Sequence, residues 1–202
     1  MTGAEPARGA GRRDQYDAVA IALHWSSAAA IACTFPLGLY LADLPAGPDE
    51  AALVGYHQWL GVTVLALTGA RIGWRLGHRA PDLPDAVPVW QRRAARAVHW
   101  ALDALAAAIA LSGLAYSAAA GLPPVGIGGL VLPGLVAPDE ALAAALRLAH
   151  RSLGFALLAL VVAHVAAALK HQFVDRDGLL LRMLPGGRYF FGSSGSGGSE
   201  RR

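Results

Sequence analysis

Histidine is the residue type best placed to do chemistry in this chain, and its distribution is uneven. Of seven histidines, five (His24, His57, His99, His150 and His164) fall inside or at the edge of long apolar runs. An ionisable side chain at membrane depth is costly and by default marks a functional site. Neutral imidazole is also the commonest metal ligand among side chains. His150 and His164 stand fourteen residues apart in one run. At 3.6 residues per turn they share a helix face and differ in depth by roughly 21 Å. One helix therefore offers an axial ligand to each of two haems stacked through a bilayer. Cys33 is the only cysteine and no Cys-x-x-Cys-His is present, so the haems are expected to be b-type, held without covalent attachment.

Other residues fit around these ligands. Gly61 and Gly154 follow His57 and His150 by four residues. They leave room for a flat macrocycle or, on the plainer reading, allow close helix packing. Arg71 lies fourteen residues after His57, on the same face, and serves either a haem propionate or the membrane interface. Asp103 is the one carboxylate well inside an apolar run, and it follows His99 by four residues. The two share a helix face and are expected either to carry protons to a quinone near the inner haem or to form a hydrogen-bonded structural pair. His99 is the surplus histidine and a poorer axial ligand. His78 and His171 are expected to be interfacial and solvated. The five tryptophans sit mostly near the ends of the runs, as an aromatic belt requires.

The elements that must position these groups are membrane helices. The chain has 202 residues, of which 55% are hydrophobic and 15% charged, with a mean hydropathy of +0.42; an average soluble domain is about 25% charged. The net charge of +3 is confined to short stretches between apolar runs, unlike the basic face of a nucleic-acid binder. No phosphate-cradling glycine motif is present. A non-haem metal transporter would need more carboxylates among the spans. Four stretches exceed the ~20 residues a bilayer demands: about Val19–Leu41, Ala51–Leu76, Ala94–Ala120 and Leu142–Leu169. The first is too long for a cleavable signal peptide.

Fifteen of the seventeen basic residues fall on one side of these spans; only Arg147 and Arg151 lie near the other, beside Asp43, Asp49, Glu50, Asp139 and Glu140. By the positive-inside rule both termini are expected to be cytoplasmic. The fold class is then all-α: an integral membrane four-helix bundle (residues 16–190) enclosing two b-type haems. A cytoplasmic arm (1–15) precedes it and a flexible Gly/Ser-rich tail (191–202) follows. The apolar connection from Gly121 to Asp139 is expected to cap the outer end. Counting depth from each entry point pairs His57 with His150 toward the outside and His24 with His164 toward the cytoplasm. Each haem joins two helices, the usual way a bundle builds a cofactor site.

With these residues in view, the chain resembles the bacterial cytochrome b-561 family of four-helix di-haem membrane proteins over about Tyr16 to Pro185. The likeness rests on Leu23-His24-Trp25, His57-x-x-x-Gly61 with Arg71, and His150 with His164. Leu180-Leu181-Arg182-Met183-Leu184-Pro185 completes it. The resemblance implies that His24, His57, His150 and His164 are the axial ligands. It further implies a quinone-linked electron carrier in the bacterial inner membrane, with ubiquinone as acceptor. One branch of the family oxidises superoxide on the outer side, and Arg147 matches a basic residue three before the outer ligand. Arg151 adds a second charge to attract an anion, while the acidic residues of the outer loops oppose it. The competing reading is a membrane-anchor subunit that takes electrons from a partner dehydrogenase or hydrogenase. Membrane lipid and quinone are partners on either reading; nucleic acid is not.

Overall fold

The structure is a computed structural model that describes residues 15–45, 47–81, 87–123, 126–127 and 130–186. The expected N-terminal arm up to residue 14 and the Gly/Ser-rich tail lie outside the described residues. Four helices, α1 (Ala18–Ala42), α2 (Pro48–Gly77), α3 (Val89–Ala119) and α4 (Glu140–Lys170), are each long and apolar enough to cross a membrane. A π-helical turn (His171–Asp175) and a short 3-10 turn (Leu180–Met183) follow.

Local chemistry sets the helix ends. Asp17 caps α1 by accepting a hydrogen bond from the Ala20 N–H at 2.9 Å, and Asp139 caps α4 by accepting from Leu142 N–H at 2.8 Å. Each satisfies one of the donors that a helix start leaves orphaned. Pro48 opens α2, with Asp49 and Glu50 in its first turn, where a missing N–H costs nothing and negative charge suits the helix dipole. At the end of α3 Gly121 adopts φ 65°, a left-handed conformation, while the Leu122 N–H reaches back to Ser117 O at 2.9 Å. This six-to-one closure needs a residue without Cβ strain. The Asp139 N–H then donates to Ala119 O at 2.9 Å, tying the start of α4 to the end of α3. Between them lies a two-residue antiparallel hairpin, Gly126–Ile127 with Leu130–Val131, the one departure from helix among the described residues.

Close packing runs between consecutive helices: α1 on α2, α2 on α3, and α3 on α4. Contacts between α1 and α4 are sparse. Among the described residues no large side chain is fully buried.

Both described ends of the chain meet at one end of the bundle, here the near end. There the Tyr16 N–H donates to Arg182 O at 3.3 Å and Gln15 Nε2 donates to Leu184 O at 3.1 Å. The α1–α2 and α3–α4 connections form the opposite, far end.

Candidate functional site

Toward the far end, His57 of α2 and His150 of α4 face each other with ring centroids 6.1 Å apart. His150 Nδ1 lies 3.0 Å from the backbone oxygen of Ile109 and 3.1 Å from Ser112 Oγ, which itself donates to Ile109 O at 2.8 Å. A carbonyl only accepts, so the imidazole proton sits on Nδ1 and the Nε2 lone pair remains available. That is the tautomer a ligand needs, and metal-bound histidines usually have it fixed in this way. His57 Nδ1 is buried and faces the Thr34 backbone of α1 without closing a hydrogen bond of full geometry.

Each of these rings also rests on a glycine of a neighbouring helix. A Cβ at Gly38 would fall 2.8 Å from His57 Cε1, and one at Gly113 would fall 2.9 Å from His150 Cε1. In both cases the glycine stands four residues after the carbonyl that the ring faces. Sequence reasoning missed these two positions. The available signal was a glycine in one span at the depth of a histidine in the next. Of the glycines it did choose, Gly61 borders open space, with nothing within 4 Å of where its Cβ would be. Gly154 instead packs against Ile109 and Phe35, at 3.7 and 3.8 Å.

Toward the near end, His24 of α1 and His164 of α4 have ring centroids 6.3 Å apart. His99 of α3 comes closer still to His164, at 5.3 Å. Metal–imidazole bonds of about 2.0–2.1 Å, with each ring centre roughly 1.1 Å beyond its nitrogen, put two imidazoles on opposite sides of one ion about 6.3 Å apart. The His57–His150 and His24–His164 pairs meet that spacing. His99 and His164 fall about 1 Å short of it.

Asp103 is almost fully buried, at 2% exposure. Its carboxylate is shared between two guanidiniums of α2: Arg71 at 3.1 Å and Arg75 at 2.9 Å. The Arg75 contact is an ion pair by distance but lacks hydrogen-bond geometry. Arg75 also lies over the Trp100 ring, 4.9 Å from its centroid, within cation–π range. The i, i+4 spacing puts Asp103 and His99 on one face, yet the carboxylate goes to α2 and His99 goes to His164. Two arginines on one aspartate leave one positive charge in excess beside the near pair.

A latch closes the near end. The Trp25 indole N–H donates to Met183 O at 2.7 Å, and the Trp74 indole N–H donates to Asp17 Oδ2 at 3.1 Å. Trp25 also stands edge-on to His24, with centroids 5.3 Å apart. These two tryptophans therefore do more than border a membrane. Partial burial works against ionisation of Asp17, but hydrogen bonds from the Ala20 N–H and Trp74 outweigh it and hold the carboxyl below its usual range. Burial pushes the Tyr16 hydroxyl up, against the opposing pull of Arg75 and Arg182. His78 is exposed and stacks on Trp74 at 3.7 Å. His171 is not simply solvated: its Nδ1 lies 2.6 Å from Asp177 and 3.2 Å from Asp175, because the π-turn folds both carboxylates back onto it.

At the far end Arg147 and Arg151 are exposed. A surface cavity of about 510 Å³ opens there between α3 and α4, lined by Tyr116, Asp139, Glu140 and Arg147 among others. It is open to the surroundings and does not contain the histidines, so the paired imidazoles, not this groove, define the candidate site.

A family model described as prokaryotic cytochrome b561 matches residues 15–186. Among curated proteins, cytochrome b561 homolog 2 of Escherichia coli (strain K12) is 33% identical over 179 residues, covering 85% of this chain and 92% of the relative. Cytochrome b561 homolog 1 of the same organism is 28% identical over 173 residues, covering 85% and 98%.

Proposed function

The chain belongs to the prokaryotic cytochrome b561 family, multi-pass membrane electron-transfer proteins that bind b-type haem, and from that premise we propose that it carries two haems. His57 and His150 hold one, and His24 and His164 hold the other. The observation that carries this reading is the pair of ring spacings, 6.1 and 6.3 Å, presented by two histidines on one face of α4. The sparse contact between α1 and α4 supports it, as does the open space at Gly61. The residues present fit the group.

A haem with two histidine ligands supplies a one-electron couple and leaves no open iron position, which favours electron transfer over oxygen chemistry. The protein does the rest. Ile109 O holds the proton of His150 on Nδ1 and so presents Nε2. Arg71 and Arg75 offer the excess positive charge that a propionate of the near haem balances, while Asp103 keeps both guanidiniums in place. His99, half-buried beside His164, and Asp103 are the groups able to pass protons to a quinone at the near end, with ubiquinone the acceptor. The near end faces the cytoplasm by the positive-inside rule, so both termini are cytoplasmic. Arg147 and Arg151 would then draw an anionic donor such as superoxide to the outer haem.

The test is the pyridine haemochrome stoichiometry of the purified chain with a reduced-minus-oxidised spectrum. Two haems b per chain are expected, and one or none defeats the proposal. A second reading is favoured by the exposed Arg79, Arg93, Arg96 and Arg176 at the near end, which suit an acidic partner such as a dehydrogenase or hydrogenase. Rapid haem reduction by superoxide in the isolated chain, with ubiquinone as acceptor, selects the first reading. Reduction only by a co-purifying dehydrogenase selects the second.

A further inference from the structure

The two histidine pairs differ in what surrounds them. His150 donates its Nδ1 proton to Ile109 O, whereas His57 Nδ1 closes no hydrogen bond. Among the described residues His24 and His164 have no such hydrogen-bond partner. An imidazole that donates to a carbonyl becomes a more basic ligand, and a more electron-rich ligand favours the oxidised iron. Ligand identity, hydrogen bonding around the ligands and local charge are the levers that set such potentials. At the near end the Arg71–Asp103–Arg75 group, half-buried at its guanidiniums, is positive by one charge, and this would offset the negative charge of a propionate and so favour the reduced iron. Arg147 and Arg151 at the far end are exposed, screened by solvent and opposed by Asp139 and Glu140, so they weigh less.

His150 can reach the Ile109 carbonyl only because residue 113 has no side chain, and His57 lies equally close against Gly38. A Cβ at either position would stand under 3 Å from a ring carbon. The atom met in each case is a ring carbon, and because the added Cβ would be fixed to a helix backbone, the ring would have to swing away.

We infer that Gly113 is a positioning residue that seats the His150 imidazole on the Ile109 carbonyl and thereby sets the far haem below the near haem in potential, so that electrons run from the far end to the near end. This rests on the two-haem reading above. With both haems held there, the electron given up by the far one (ferrous to ferric) would be taken by the near one (ferric to ferrous), a donor and a quinone closing the balance at the two ends. The chain's own part is to bias the two potentials through Ile109 O on His150 and through Arg71 and Arg75.

The experiment is a spectroelectrochemical titration of the haem-loaded protein, wild type and Gly113→Ala, with haem stoichiometry measured on the same samples. Two components are expected in the wild type. In Gly113→Ala the lower component should shift upward or be lost while the higher stays in place. Movement or loss of the higher component instead, an equal shift of both, or no shift would overturn the inference. If the alanine variant fails to assemble, Arg75→Gln gives a second route: the higher component should fall while the lower stays, and the reverse would overturn the inference. A wild-type stoichiometry of one haem per chain would defeat the two-haem reading itself; two haems with the wrong component moving would defeat only the ordering.

Discussion

An imidazole has two nitrogens, and the partner of one decides what the other can bind. The four paired histidines stood out in the sequence because burying a polar ring in a bilayer needs a compensating partner, and the fourteen-residue spacing of His150 and His164 gave those two a common face. Gly38, Gly113 and the Arg75–Asp103 contact were not legible, since each depends on the register between two helices. Two predictions belong at this scale. His150→Ala should remove or disorder only the outer haem and His164→Ala only the inner one, read by low-temperature difference spectra; loss of the same haem in both variants contradicts the pairing. Asp103→Asn should leave two guanidiniums facing each other without a counter-charge. Breaking a buried pair of this kind costs on the order of 3–5 kcal/mol, measurable as a fall in Tm of the solubilised protein. Adding Arg75→Gln should recover part of the loss.

Helices are where the sequence spoke most clearly, because four apolar runs of bilayer length have few other outcomes. The observed helices exceed the apolar stretches by one to five residues at most ends. The largest extension is α3, which begins at Val89 and carries Arg92, Arg93 and Arg96 in its opening turns. A polar turn outside the hydrocarbon still satisfies its own backbone, so hydropathy alone underestimates the element. Asp17→Ala should cost about 1 kcal/mol through the lost α1 cap, and more where Trp74 also loses its acceptor. The folded carboxyl titrates below its unfolded value. The charge-dependent part of its contribution is therefore complete above the unfolded pKa, near 4, and disappears as pH falls through the lowered folded value. Thermal unfolding of wild type and variant at pH 7 and pH 3 checks this: the gap between them should narrow in acid.

For the molecule as a whole, neighbouring helices pack in sequence, and imidazole pairs link the last helix to the first (His24–His164) and to the second (His57–His150). Orientation follows from charge and can be measured directly. In a Cys33→Ala background, Leu135→Cys should react with a membrane-impermeant maleimide in intact spheroplasts, whereas Arg176→Cys should react only after lysis. Labelling in the opposite order would invert the proposed direction of electron flow across the membrane.

The contact between Trp25 and Met183 joins residues 158 positions apart. During synthesis the first helix therefore waits for the segment beyond the fourth before its indole finds an acceptor, and His24 waits with it. Loading of the proposed near haem is therefore expected to come late, and that of the proposed far haem to need only the four spans. Trp25→Phe, which keeps the ring but removes the donor, should yield protein enriched in half-loaded molecules whose vacancy is always at the end where the chain closes.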